Sequence, residues 1–131
     1  MDNFPNRLLG LAIQIQQIPA PTLAEGPRGE FVRGCFIQEG LKDVSMDSQG
    51  NVYGCLPGKN KKTSPLIISA HLDTVFPEKT DLAVNKESGK VRAPGIGDNA
   101  IGVAALFGIL WLLRERRIEL KGDVWFVADV C

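Results

Sequence analysis

LIISAHLDTVFP, residues 66–77, decides how the rest of the chain is read. Leu66–Ala70 is a short apolar run, which fits a strand buried on both faces, as in a parallel sheet. It leads into His71, the only histidine in the chain, with Asp73 two residues later. In extended backbone, residues i and i+2 point to the same side. An acid at that spacing can approach the imidazole and fix its tautomer, leaving the other ring nitrogen free for a metal. The same residues also fit a neutral histidine at a strand end beside a turn aspartate. The H-x-D spacing leaves both readings open.

Downstream, GIGDN (residues 95–99) precedes a long apolar helix predicted over Ala100–Arg116. Arg114, Arg116 and Arg117 suit the negative end of its dipole. DVWFVADV (residues 123–130) reads as a second buried strand. A strand joined through a helix to another strand makes a crossover unit, which sets the two strands parallel with a right-handed connection. The fold class is therefore α/β, a mixed sheet with helices on its faces. In such sheets ligands collect outside the carboxyl ends of the strands. His71, Asp98 and the end of the last strand, around Asp129, are expected on that edge. Asp98 has two readings. It can cap the helix, a role Asn99 could also fill. Or its carboxylate can sit between two cations, which in paired sites lie roughly 3.5–4 Å apart, with the flanking glycines letting the backbone approach closely.

Upstream, Phe4, Leu8, Leu11, Ile15 and Ile18 fall at helical spacing, and Pro19 and Pro21 stop that helix. Thr22 with Glu25 reads as a capping box opening a second helix that runs to about Glu39. Val44–Met46 and Val52–Leu56 flank DSQGN and predict a hairpin. Leu82–Val84 and Lys90–Arg92 flank NKESG and predict another.

The 131 residues fit one domain, 44% apolar and 23% charged, as in an ordinary globular protein. Fifteen basic and fifteen acidic residues balance, so no charge excess points to nucleic acid. KNKK (residues 59–62) and RERR (residues 114–117) read as solvated surface. Cys35, Cys55 and Cys131 are too far apart for a C-x-x-C motif, and an odd count points to reduced thiols in a cytoplasm. The N-terminus makes a poor signal sequence. Ala100–Leu113 carries no charge or amide but is too short to span a bilayer.

Taken together, I-I-S-A-H-L-D-T-V-F-P, then A-P-G-I-G-D-N-A-I-G-V-A-A-L, then D-V-W-F-V-A-D-V resemble the dinuclear-zinc peptidases and amidohydrolases. That family includes aminoacylases, acetylornithine deacetylases, glutamate carboxypeptidases and tripeptide aminopeptidases. I-P-A-P near residue 20 and M-D-S-Q-G-N-V-Y-G-C-L-P-G also match. The resemblance covers nearly the whole chain, and the GIGDN variant is most similar to the tripeptidase-like members.

The resemblance implies that His71 binds one zinc, that Asp98 bridges two, and that Asp73 orients the His71 ring. Cobalt or manganese could stand in for zinc. It implies hydrolysis of an amide or peptide bond in a small peptide or N-acyl amino acid by metal-activated water, with no nucleic-acid or membrane partner and with homodimerisation open to a longer form. In the family a Glu-Glu pair, general base and zinc ligand, follows a strand like residues 125–130. Here that position falls at Cys131. Residues 1–131 are thus expected to be the N-terminal portion of a zinc-hydrolase catalytic domain, without the lid or dimerisation domain and inactive alone. Asp129 lies inside the strand pattern and reads as a structural acid. An apolar last strand is expected to leave an aggregation-prone edge or an uncovered apolar face.

Two readings of another class compete. A non-catalytic binding module could keep this fold. A nucleotide-binding domain is disfavoured, because GIGDN matches neither G-x-G-x-x-G nor G-x-x-x-x-G-K-[ST] and puts an acid where phosphate would sit.

Overall fold

The computed structural model describes residues 3–130. Strand β3 (Leu66–His71) runs parallel to β6 (Val124–Asp129), in register from Leu66 beside Val124 to His71 beside Asp129. Helix α3 (Ile101–Glu115) lies between them in sequence. This is the expected crossover. The other side of β6 pairs antiparallel with β2 (Val52–Leu56), and β2 pairs antiparallel with β1 (Lys42–Met46), giving the sheet order β1-β2-β6-β3. The sheet is mixed and the class is α/β.

Helix α1 spans Phe4–Gln16 and α2 spans Gly26–Gln38. The capping box expected at Thr22 does not form. The second helix opens at Gly26, with Pro27 in its first turn, where a missing N–H costs nothing. Glu25 instead accepts a hydrogen bond from the Leu23 N–H at 2.7 Å. The second predicted hairpin exists but is shifted. Its strands are β4 (Asn85–Glu87) and β5 (Lys90–Arg92), so NKESG supplies a strand as well as the turn.

Alternate residues of the sheet feed one core. Val52, Val124, Phe126 and Ala128 are buried there with Ala12 and Ile15 of α1, Val32 and Phe36 of α2, and Val103, Phe107 and Leu110 of α3. Phe36 and Phe107 meet with ring centroids 5.2 Å apart; removing a buried ring of this kind costs about 3–5 kcal/mol. The helix α3 with its preceding turn is long and apolar enough to cross a membrane by length and composition alone, yet its apolar stripe is spent on this core.

Strand β3 is less covered on both faces. Ile67, on the face away from the core, is 65% exposed, and Leu66, on the core side beside Val124, is 58% exposed. The expectation that β3 is buried on both faces is therefore wrong, because β3 is the edge strand and β6 the interior one. The last strand is not the edge; the strand that carries the histidine is. Cys35 and Cys55 are free thiols, both pushed up chiefly by burial, which makes them poor nucleophiles. Cys131 lies outside the described residues.

Candidate metal centre

His71 is the last residue of β3 rather than the first beyond it, and its ring sits between two carboxylates. Nδ1 lies 3.2 Å from Asp73 Oδ1 and 3.1 Å from the Asp73 carbonyl. Nε2 lies 3.0 Å from Asp98 Oδ1. The two acids differ in setting: the Asp73 side chain is 15% exposed and that of Asp98 77%. One edge of the imidazole faces the protein, the other faces solvent.

Asp98 does not cap α3. It occupies an irregular turn, Ile96–Ala100, at φ −141°, with no side-chain cap on the helix. The bond between Asp98 and Asn99 is cis. Asn99 does not cap either. Its Nδ2 donates to the His71 carbonyl at 3.2 Å, tying the turn to the end of β3. Two glycines make this path feasible. Gly95 has φ +76°, a region L side chains rarely adopt. At Gly102 a Cβ would lie 2.0 Å from Asn99 Oδ1, so the bare backbone there lets Asn99 lie against the helix. Behind the turn, buried Gln16 donates to the carbonyls of Leu82 and Pro94 at 3.1 and 2.9 Å.

A second layer supports Asp73. Thr22 Oγ1 donates to Asp73 Oδ2 at 2.9 Å. Arg28, only 1% exposed, donates from Nη1 to the Leu72 carbonyl at 2.8 Å and from Nε and Nη2 to the Ile18 carbonyl at 3.0 and 2.7 Å. Burial lowers the Arg28 guanidinium to about 10, and the negative charge of Asp73 works against that fall. Asp129, read from the sequence as a structural acid, stands beside His71 on the neighbouring strand, and its backbone carbonyl accepts the Leu72 N–H at 2.8 Å.

The residues fit a cation. If Nδ1 carries the imidazole proton and donates it in a hydrogen bond to Asp73, Nε2 presents a lone pair to a carboxylate oxygen only 3.0 Å away. Two lone pairs at that distance repel unless a proton or a metal ion lies between them. A nitrogen and an oxygen sharing one tetrahedral zinc lie about 3.3 Å apart, close to the spacing found. Among the described residues, no three histidine, cysteine or carboxylate side chains gather as a metal-holding group. His71 and Asp98 form a two-ligand corner.

A profile for peptidase family M28 matches residues 51–129, the stretch that holds β2, β3, the Asp98 turn, α3 and β6. The chain belongs to peptidase family M28. Solved structures agree on the fold. The aminopeptidase PepT from Bacillus cereus superposes with a TM-score of 0.80 at 22% identity, over 95% of this chain and 36% of that one. A tripeptidase from Staphylococcus aureus gives 0.74 at 25% identity, over 95% and 36%. The Bacillus subtilis YXEP protein, described as a dinuclear metal binding peptidase from the M20 family, gives 0.70 at 19% identity, over 100% and 36%. The M28 chain thus spans about a third of the length of these structures. No curated protein sequence matches it.

Sequence reasoning named His71, Asp73 and Asp98, and the fold brings all three together. It missed Arg28 and misread Thr22. Nothing in the sequence marks Arg28 as buried, since arginines are rarely fully buried.

Proposed function

We propose that this chain carries one corner of the metal centre of a metal-dependent peptidase or amidohydrolase. The observation behind this is the single histidine held at Nδ1 by Asp73 and facing Asp98 across 3.0 Å with Nε2. His71 Nε2 would hold one metal ion, and the Asp98 carboxylate would serve as a ligand to a pair of ions. Asp73 holds the Nδ1 proton, fixes the tautomer and raises the basicity of the ligating nitrogen. When bound, a zinc pair supplies Lewis acidity, acidifying water and polarising the scissile carbonyl; cobalt or manganese can substitute. Exposed Asp98 gives a substrate open access to this corner. The substrate is a small peptide or N-acyl amino acid, cut in an exopeptidase-like manner. The peptidase works in a cytoplasm, in keeping with the two free thiols, Cys35 and Cys55, among the described residues. A longer form supplies the remaining ligands and the general base and can dimerise; residues 1–131 alone are inactive.

The test uses a form of the protein that hydrolyses such a substrate. Chelation abolishes activity and zinc restores it, and His71→Ala or Asp98→Ala abolishes activity and lowers zinc content. Full activity in either variant would refute the assignment. A second reading, a non-catalytic module keeping the fold, draws on the count of only two ligands among the described residues. It requires zinc uptake to be the same with and without His71.

A further inference from the structure

A buried guanidinium is expensive to desolvate and survives when its hydrogen bonds and charge are compensated. Arg28 spends its compensated donors at one place. The Leu72 carbonyl it holds lies between His71 and Asp73, and the Ile18 carbonyl it holds twice opens the segment that runs on to Thr22. That segment is stitched to the same loop at three further points. The Thr74 N–H donates to the Ala20 carbonyl at 2.8 Å, Pro21 bridges to Thr74, and Thr22 donates to Asp73. Arg28 is the only one of these links that reaches both segments from α2.

From this geometry we infer that Arg28 is a positioning residue for the metal centre, clamping the backbone between His71 and Asp73 so that Asp73 meets Nδ1 and Nε2 is left to the metal. The inference rests on the function proposed above. A guanidinium suits the task because its planar fork grips one carbonyl with two N–H groups while a third reaches the other. Lysine has one ammonium and cannot hold both carbonyls in that geometry.

With a single histidine in the chain, imidazole nitrogen NMR reads His71 without ambiguity, and it does so before any metal is added. The wild-type chain, Arg28→Lys, Arg28→Met and His71→Ala are compared by circular dichroism, by nitrogen NMR of the metal-free protein and by zinc titration against a competing chelator. The wild type shows the Nδ1–H tautomer. Folded Arg28 variants show a mixture of tautomers and bind zinc about 10- to 100-fold more weakly, the usual scale for a group behind a ligand, with lysine recovering part of the loss. A folded Arg28→Lys or Arg28→Met with the wild-type tautomer and zinc affinity overturns the inference. So does loss of fold in both, which makes the role structural. If His71→Ala binds zinc as the wild type does, the proposed function fails instead.

Discussion

Two polar clusters mark opposite uses of charge in this chain. Around Glu39, every group answers another. The Trp111 Nε1–H donates to Glu39 Oε1 at 2.8 Å, and Arg114 Nη1 to Oε2 at 3.0 Å. Arg114 Nη2 also donates to the Glu39 carbonyl. Arg7 lies 3.6 Å over the Trp111 ring and 3.5 Å from Glu39. A surface hollow is lined by these residues, but its charges are already spent on joining α1, the end of α2 and α3. Around His71 the supporting side is equally complete, with Thr22, Arg28 and Asn99 all engaged, yet the outward side sets a ring nitrogen against an exposed carboxylate. A cluster that completes itself is scaffold. One that leaves a ring nitrogen facing an exposed carboxylate has room for a cation to complete it.

Exchanging the perturbations tests this contrast most strongly. Asp98→Ala weakens zinc binding by about 100-fold or more, beyond the range for outer-layer residues, and leaves the melting temperature nearly unchanged. Glu39→Ala does the reverse: it lowers stability by about 1–2 kcal/mol, a charged hydrogen bond discounted for partial exposure, and leaves zinc affinity alone. Zinc titration and thermal melts on both variants check the pair. If Asp98→Ala is as destabilising as Glu39→Ala, the distinction between site and scaffold fails.

Gly102→Ala sharpens the comparison from the inside. Its methyl group has to displace Asn99, so it costs about 1–3 kcal/mol as overpacking does, and it loosens the hydrogen bond to the His71 carbonyl. Both stability and zinc affinity fall, as measured by the same two experiments. At neither cluster, the hairpin turn gives the smallest effect. Asp47 accepts the backbone N–H groups of Gln49, Gly50 and Asn51, and the Asn51 side chain and the Tyr53 hydroxyl as well. These bonds, that of the Asn51 side chain foremost, hold its carboxyl at about 2 against an ordinary 3.8. A carboxyl lowered in the folded state stabilises it above the ordinary value. That contribution is present above about pH 4 and fades as pH falls toward 2. Acid titration of the fold shows this step, and Asp47→Asn removes it.

The crossover was legible because local patterns carry it. Apolar runs of strand length flank an apolar run of helix length, and chain chirality leaves few ways to join them. The grouping of His71, Asp73 and Asp98 was legible for a related reason. Strand ends and the turn before a helix share one edge of such a sheet, so His71, Asp73 and Asp98 were expected together before any distance was known. Shifted boundaries, such as Asn85–Glu87 in place of Leu82–Val84, arise where short ribbons have no hydrophobic face to set their register.

What the sequence determined by itself was the α/β class, the parallel pair and the placing of His71 and Asp98 on one sheet edge, because these follow from short-range periodicity and the handedness of the crossover. Only the tertiary structure decided which strand is the edge, that Thr22 serves Asp73 rather than a helix, and that Arg28 is buried behind the histidine. Those depend on which carbonyls and carboxylates lie within about 3 Å after distant segments pack, a reach that residue spacing along the chain does not encode.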